Sequence, residues 1–534
     1  MKSVPTEETQ NDARLVAAID IGSNSLRMAI AQLHPDGAMD VLERTRQPLR
    51  LGHDTFLDGR LQQQTINAAT RVMRDYRRIL DSYQVEVVRA IATSAVREAA
   101  NRDVFVDRVA RATDIEVEVI EPTEESRLLV SAVRQDVGRL ISLSSERALI
   151  TEVGGGSTLF TILEGGQISA SQSSNLGSVR MQEIFSTARE LPKRAAELLQ
   201  YHVEKSIEMV SKSLGLSKVK TFAAIGGDAR FAAHQVGEPV PDTSLYEVRR
   251  KRLAQFVRSL YPLSPEEIVR KYRIPFADAE TLVPGLIVYA ALLDAVDASE
   301  MLVSQVSMRD GILQDFPRYL TGQPDPALAE GILLSARTLA ARFGCDPKHG
   351  DQVADIATRL FDALQKEHGM QPWHRLLLRV AALLHDMGTY INPRSHHKHS
   401  AYLISNSEIF GLGMDDVRIL SQVARYHRGS VPKSSHVEYT TLRREQRMVI
   451  NKLAAILRVA DALDRGHWQQ VSDFTIERRN GDLVLYIQGA PDLTLERRAL
   501  VKKGDLFEEV FGMRVRVEQE RAQPVVTMRQ EDME

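Results

Sequence analysis

One short pattern closes an apolar, strand-like run twice in this chain: a carboxylate, an apolar residue, glycine, two small residues and serine. It stands as Asp20-Ile21-Gly22-Ser23-Asn24-Ser25 after Leu15-Val16-Ala17-Ala18-Ile19, and again as Glu152-Val153-Gly154-Gly155-Gly156-Ser157 after Ala148-Leu149-Ile150-Thr151. Glycine lets a backbone turn closely enough for amides and hydroxyls to surround phosphate oxygens, and a neighbouring carboxylate can hold a hydrated cation. A single copy reads equally well as a tight turn after a strand. A matched pair one domain apart points to two α/β halves with equivalent loops and a cleft between them.

Periodicity places those halves. Between 13 and 128, Leu15–Leu33 reads as a hairpin bent at the first loop, Gln62–Tyr83 and Arg102–Arg111 as helices and Val87–Ala92 as a buried strand. The second half, 129 to 322, has strand-like Leu159–Leu163 and Thr221–Ile225 and a helical Lys193–Leu214. After Pro324-Asp325-Pro326 the texture changes to long helical periods (Ala327–Phe343, Gly350–Lys366, Trp373–Met387, Leu442–Asp464), so 326 to 470 reads as an all-α domain. Residues 471 to 534 return to short alternating runs such as Leu483–Ile487, a small α/β appendage.

Composition narrows the class. A chain of 534 residues is too long for one core, and its net charge of −3 gives no global attraction for nucleic acid or membrane. Cys345 is the only cysteine, which excludes an intramolecular disulfide and fits a reducing compartment. Met1 to Asp12 is polar and acidic without an apolar core, and the apolar stretch Leu282–Val296 is interrupted by Pro284, Gly285 and Asp294. The expectation is a cytoplasmic protein with no membrane-spanning run.

The segments Ala18–Ser25, Ala92–Ala99, Val119–Arg127, Val153–Thr158, Val283–Leu286 and Arg309-Asp310-Gly311, in that order, resemble the exopolyphosphatase/guanosine pentaphosphate phosphohydrolase (Ppx/GppA) family, in its long form with a C-terminal HD-type domain. That resemblance implies two actin/hexokinase-like (ribonuclease H-like) domains flanking a cleft, 13–128 and 129–322. It implies Glu125 as the base that activates water. It makes Ser23, Asn24, Ser25, Arg97, Gly154, Gly155, Gly156, Ser157 and Thr158 phosphate-binding residues, and Asp20 and Glu152 ligands of Mg²⁺ or Mn²⁺. Without the resemblance, Glu124 and Glu125 also read as the acidic first turn of a helix and Arg97 as a solvated charge at a helix start. Two positions depart from the family pattern: Glu152 stands where aspartate is usual, and Leu159 where an acidic residue often follows the glycine run.

Ten of the fourteen histidines lie between His349 and His467, within the all-α region. His349, His385-Asp386, His399, His427 and Asp461, in that order, resemble the HD metal-dependent phosphohydrolase superfamily, which implies a transition-metal centre of imidazoles and carboxylates. His385-Asp386 alone also reads as a helix terminus. His396 and His397 read as loop bystanders beside His399, and His427 serves equally as a phosphate ligand.

Basic segments, Arg249–Arg252, Arg394–His399, Arg425–Lys433 and Arg443–Lys452, suggest a track for a polyanion, although each alone reads as a solvated face. Aromatics are not interleaved with them, which disfavours single-stranded nucleic acid. The expected activity is release of orthophosphate from inorganic polyphosphate, by a homodimer if the family resemblance holds. The alternatives are guanosine pentaphosphate as substrate, a nucleotide hydrolysed at the histidine site, or a non-catalytic polyphosphate or alarmone binding protein.

Overall fold

The computed structural model describes residues 14–34, 37–137, 147–185, 191–317, 326–489 and 492–519. The readings of Met1 to Asp12, of Pro324-Asp325 and of the end of the appendage fall outside them. The chain forms two compact units, one running to Leu334 and including Glu408–Gly413, the other made of Ser335–Ser407 and the residues from Met414 onward.

In the first unit, β1 (Arg14–Ile21) is almost wholly buried and turns at the first glycine loop into antiparallel β2 (Ser25–Leu33), which pairs with β3 (Met39–Pro48). On the other side of β1, β4 (Val87–Ala92) and then β5 (Val117–Val119) add in parallel, giving the order β3-β2-β1-β4-β5. The second half repeats this. Strands β6 (Ala148–Val153), β7 (Thr158–Glu164) and β8 (Gln167–Ser174) form an antiparallel meander, and β9 (Thr221–Ile225) pairs in parallel with β6. β10 (Glu238–Pro239) and β11 (Tyr246–Arg249) lie at the edge beyond β12 (Glu300–Val303), which joins β9 in parallel. The order β8-β7-β6-β9-β12 is that of the first sheet. The repeated loop therefore belongs to a repeated sheet, and both loops leave the carboxyl ends of central strands, where α/β sheets bind ligands.

Each sheet is covered by helices whose apolar residues recur every three or four positions. Helix Gln63–Tyr83 buries Ile66, Ala69, Met73, Tyr76 and Leu80 in the first core, and the Tyr76 hydroxyl donates to the Leu26 carbonyl at 2.8 Å. Helix Phe276–Ala295 is long and apolar enough by composition to cross a membrane, but most of it lies in the core of the second half. Pro284 sits inside it without ending it. From this helix the Tyr289 hydroxyl donates to the Ile225 carbonyl and accepts from the Val153 amide at 3.0 Å. It fastens the strand ends that carry the second and third glycine turns.

The second unit is mainly helical, as its periodicity predicts. Helices Pro347–Ala363, Pro372–Leu384, His396–Ser405, Met414–Tyr426 and Arg444–Leu463 carry the histidines. A three-stranded sheet follows, β13 (Phe474–Arg479), β14 (Asp482–Ile487) and β15 (Arg514–Gln519), with helices Thr494–Lys503 and Asp505–Phe511 between the last two strands. This sheet and its two helices belong to the same compact unit as the preceding helices. Buried Arg458 clamps it, donating to the Lys503 carbonyl at 2.9 Å and to Asp505 at 2.6 Å.

Candidate functional site

The two glycine loops turn in the same way: Gly22 N–H donates to Ser25 O at 3.1 Å, and Gly154 N–H to Ser157 O at 2.9 Å. They meet across the cleft. A Cβ on Gly155 would lie 2.9 Å from the Ser23 Cβ, so only glycine lets the loops come this close. Between them is a cavity of about 500 Å³, and Ser23, Asn24, Ser25, Gly154, Gly155 and Ser157 line it, as expected. A third turn, Gly226-Gly227-Asp228, closes one wall. Gly226 has φ +120° and faces the Tyr289 hydroxyl, so that position also requires glycine.

Three residues expected to bind phosphate do not line this cavity. Gly156 packs against the first half, where an added Cβ would meet Ser94 and Phe56, and its carbonyl accepts from Arg180 Nε at 2.6 Å. The Thr158 hydroxyl is buried and donates to the Leu176 carbonyl at 2.7 Å. Arg97 donates to Glu125 Oε1 at 2.5 Å and to the Ile120 carbonyl, so its guanidinium holds the carboxylate beside the cleft instead of a phosphate. Opposite charges this close dominate the choice of partner.

Glu125 sits in the first turn of helix Pro122–Val137, with its carboxylate on the cavity wall. Burial raises its pKa above the usual carboxylate value, with Arg97 opposing. Glu124, its neighbour, faces the other way into a buried cluster with Arg89, Arg127 and Asp315, which anchors the helix start. Glu152 is pushed up to about 7 by burial and by the negative charges of Asp20 and Glu125. Asp20 is raised by burial, opposed by Arg27 and Arg309. Leu159 lies opposite Glu152 in the β6–β7 ladder and lines the cavity, so an apolar side chain helps to desolvate that carboxylate. Crowded carboxylates with raised pKa values suit a divalent cation. Mg²⁺ is usually held by one or two carboxylates, its own waters and substrate phosphate, and Asp20 with Glu152 provides such a pair.

Sequence reasoning missed the arginines. Arg27, Arg230 and Arg309 line the cavity, and the positive charge of Arg27, second to burial, lowers the pKa of both Arg230 and Arg309. Guanidiniums that repel one another around a cavity create a field that an anion relieves. Arg27 stands two residues after the first loop, Arg230 two after the third turn and Arg309 in the Arg-Asp-Gly segment, so their spacing was the available signal. Asp228 was also unassigned. Burial and the nearby Asp278 push it up to about 7, and Gly285 leaves room for its carboxylate, which an added Cβ would contact.

One rim of the cleft is bridged by polar pairs between the halves. Arg46 meets Asp278, Asn24 Nδ2 donates to the Ala277 carbonyl at 3.2 Å, and Arg50 lies 3.0 Å from Glu280 and 3.2 Å from Glu183. The Arg249–Arg252 segment is largely neutralised, with Arg249 and Arg252 both on Glu238.

In the second unit the structure brings His349, His385, Asp386, His427 and Asp461 together, as expected, and replaces His399 with His396. His396, the first residue of its helix, faces Asp386 with Nε2 3.1 Å from Oδ1. His399, almost one turn later, packs beside Gly388 and belongs to none of the ligand groups among the described residues. The imidazoles are oriented from behind. Nδ1–H of His385 donates to Ala382 O at 2.7 Å, that of His427 to Ala424 O at 2.6 Å and that of His349 to Asp464 at 2.8 Å. This leaves Nε2 lone pairs turned inward. His349 and His385 Nε2 are buried without a hydrogen-bond partner. Lys503 pairs with Asp461.

Residues 28–318 match the Ppx/GppA phosphatase family, and residues 333–509 match Ppx/GppA phosphatase, domain III. The chain is 24% identical over 461 residues to guanosine-5'-triphosphate,3'-diphosphate pyrophosphatase of Vibrio parahaemolyticus, covering 83% of this chain and 86% of that protein. The protein of the same name from Photobacterium profundum is 24% identical over 484 residues, with coverage of 89% and 92%. The crystal structure of an exopolyphosphatase from Cytophaga hutchinsonii shares the fold with a TM-score of 0.52 at 21% identity, covering 58% of this chain and 99% of that one. Matches to both parts of the family run in order along the chain that carries these paired loops, and the protein belongs to the Ppx/GppA phosphatase family of phosphoanhydride hydrolases.

Proposed function

We propose that the chain releases orthophosphate from the end of inorganic polyphosphate, with Glu125 as general base. The observation that carries this reading is a buried carboxylate facing a cavity walled by two glycine-serine loops and by Arg27, Arg230 and Arg309, the charge of Arg27 opposing those of the other two. The terminal phosphate binds between the loops, where the Ser23 and Ser157 hydroxyls and Arg27, Arg230 and Arg309 are available to its oxygens. Glu125 orients a water in line with the anhydride bond and takes its proton as the water oxygen bonds to phosphorus. The bond to the bridging oxygen breaks, and the shortened chain leaves. A divalent cation such as Mg²⁺ on Asp20 and Glu152 supplies neutralisation of the phosphate charge. Homodimerisation is part of the same reading.

Guanosine pentaphosphate is the second reading. It is favoured by the name shared by the relatives above and by a cavity wall of Phe231, His234 and Leu282 that could take a base. The histidine cluster we read as a transition-metal centre of the HD type, on the strength of its inward-turned, unpartnered nitrogens.

Orthophosphate release should be compared on long-chain polyphosphate and guanosine pentaphosphate for the wild type, Glu125→Gln and Asp386→Ala. Loss on both substrates in Glu125→Gln alone supports the cleft as catalyst, and the larger kcat/KM names the substrate. Full activity in Glu125→Gln would sink the reading and move the chemistry to the histidine cluster.

A further inference from the structure

We infer that the first half carries a second binding site outside the cleft, a groove of arginines that holds the body of a polyphosphate chain; polyphosphate as its occupant rests on the reading of that polymer as substrate. The groove lies between helix Gln63–Tyr83 and helix Arg102–Thr113, measures about 710 Å³ and is open to solvent. Arg71 and Arg74 line it from the first helix, Arg108 and Arg111 from the second. The members of each pair stand three positions apart, so each helix presents two guanidiniums on one face. Asn67 and Gln64 continue the first row about one and two turns before Arg71.

The charge in this groove is largely uncompensated. No carboxylate is among the described residues that line it. Arg71 and Arg74 are exposed, and their guanidiniums meet no carboxylate among the described residues. Nearby acids serve other arginines, Asp75 pairing with Arg78 and Asp81 with Arg77. Arg108 Nη1 donates to Asn67 Oδ1 at 3.3 Å, a contact that ties the helices together and adds no negative charge. Arg111 is partly neutralised, its Nε 2.9 Å from both oxygens of Asp107. The Arg249–Arg252 segment differs, since Arg249 and Arg252 share Glu238.

The lining selects among polyanions. Guanidiniums take phosphate oxygens in pairs, and a row of them on a polymer charged at every unit gains by releasing its counterions. No aromatic residue lines the groove for a base to stack on. Ala112 is the one apolar residue among the described lining, so an acidic peptide finds no pocket to anchor a side chain.

The groove also begins at the right end of the sheet. Gly52 N–H, in helix Leu51–Asp58, donates to the Ser23 carbonyl of the first glycine loop at 2.8 Å. Asp54 of that helix accepts from the Gln62 amide at 2.9 Å, just before helix Gln63–Tyr83 starts. The latter then runs to the opposite end of the sheet, where Val87 pairs with Val16. From Gln64 to Arg74 the polar row extends about 15 Å along the helix axis, leading away from the loops. A long chain docked there stays near the loops between cleavages, whereas a chain too short to occupy both places gains nothing.

The test measures binding and turnover on the full-length chain. Anisotropy of fluorescein-labelled long-chain polyphosphate is followed on Glu125→Gln, alone, with Arg71→Gln/Arg74→Gln, and with the charge-matched control Arg270→Gln/Lys271→Gln. Glutamine keeps both helices favourable, so folding is preserved. The arginine substitutions should raise Kd at least tenfold and reduce the slope of log Kd against log salt by about 1.4, as expected for two lost phosphate contacts. The control should change neither. With Glu125 intact, Arg71→Gln/Arg74→Gln should raise KM for long chains at least fivefold and leave kcat/KM for tripolyphosphate in place. An unchanged Kd, or one raised equally by the control, overturns the inference. So does an equal loss on tripolyphosphate, which would mean that the substitutions act through the cleft. Single-stranded DNA of matched charge that binds more tightly than polyphosphate and depends on the same arginines would make this a nucleic-acid surface and overturn it too. Arginine-dependent binding of polyphosphate by a wild type that does not cleave it supports the groove and defeats the catalytic reading.

Discussion

Replacing Arg97 with methionine separates the role expected from the sequence from the one given by the fold. Arg97 Nη1 is 2.5 Å from Glu125 Oε1 and both side chains are nearly buried. Burial already raises the Glu125 pKa while Arg97 opposes it. An opposite charge at this range lowers a carboxyl pKa by about 1–3 units, so its removal should raise that of Glu125 by about as much. A base that must be ionised then loses rate wherever the pH lies below its new pKa and recovers as the pH is raised. Initial rates of orthophosphate release from pH 6 to 10, at saturating and subsaturating substrate, give the profile. The acid limb should move to higher pH in Arg97→Met and stay nearly in place in Arg97→Lys. Breaking a buried ion pair also costs about 3–5 kcal/mol, so melting curves should accompany the kinetics. An increase in KM with an unmoved acid limb would refute the reasoning and restore Arg97 as a phosphate clamp.

Glu125→Gln keeps the shape of the site and removes its proton acceptor, so kcat should fall by roughly 10²–10⁴ with KM little changed; equal turnover would exclude it as base. Because Glu152 is pushed up to about 7, the folded chain holds its proton more tightly than the unfolded chain. Glu152 should therefore contribute a loss of up to about 3 kcal/mol as pH rises from 4.5 through 7 in the metal-free protein, so the total loss should be smaller in Glu152→Gln, with Asp228 among the groups supplying the remainder, in denaturant titrations. Leu159→Glu places a second carboxylate opposite Glu152, which should lower the metal-free melting temperature and tighten Mg²⁺ binding by calorimetry. Thr158→Val should leave KM unchanged and cost about 1 kcal/mol, because its hydroxyl serves the Leu176 carbonyl; a large rise in KM would return it to the phosphate site.

The loops, the central strands and most helices were legible because glycine at a close approach and period-specific apolar patterns leave few alternatives. β3 escaped because Met39–Pro48 is mostly exposed and has no alternating apolar face. The contact of Arg97 with Glu125 was not legible for a different reason: its partner lies twenty-eight positions away, and local sequence says nothing of which charge a guanidinium will meet. His396 and His399 stand three apart in helix His396–Ser405 and so share one face of it, about a turn apart along its axis. Spacing along the chain therefore leaves open which of the two reaches Asp386. Asp228 could not be weighted without knowing that Gly285, far along the chain, clears a place for it.

The bridged rim has a kinetic consequence. Its contacts, Arg46 with Asp278 and Arg50 with Glu280 and Glu183, join partly exposed arginines to less exposed carboxylates across the mouth of the cleft, where dissolved ions reach the guanidiniums. Salt screens such pairs, and the screening length shrinks from about 10 Å at 0.1 M to about 3 Å at 1 M. The same screening weakens the pull of Arg27, Arg230 and Arg309 on an incoming polyanion. Loosening the rim speeds the exit of product, which acts on turnover at saturating substrate, while screening slows capture, which acts at subsaturating substrate, so added salt should raise kcat where release limits it and lower kcat/KM.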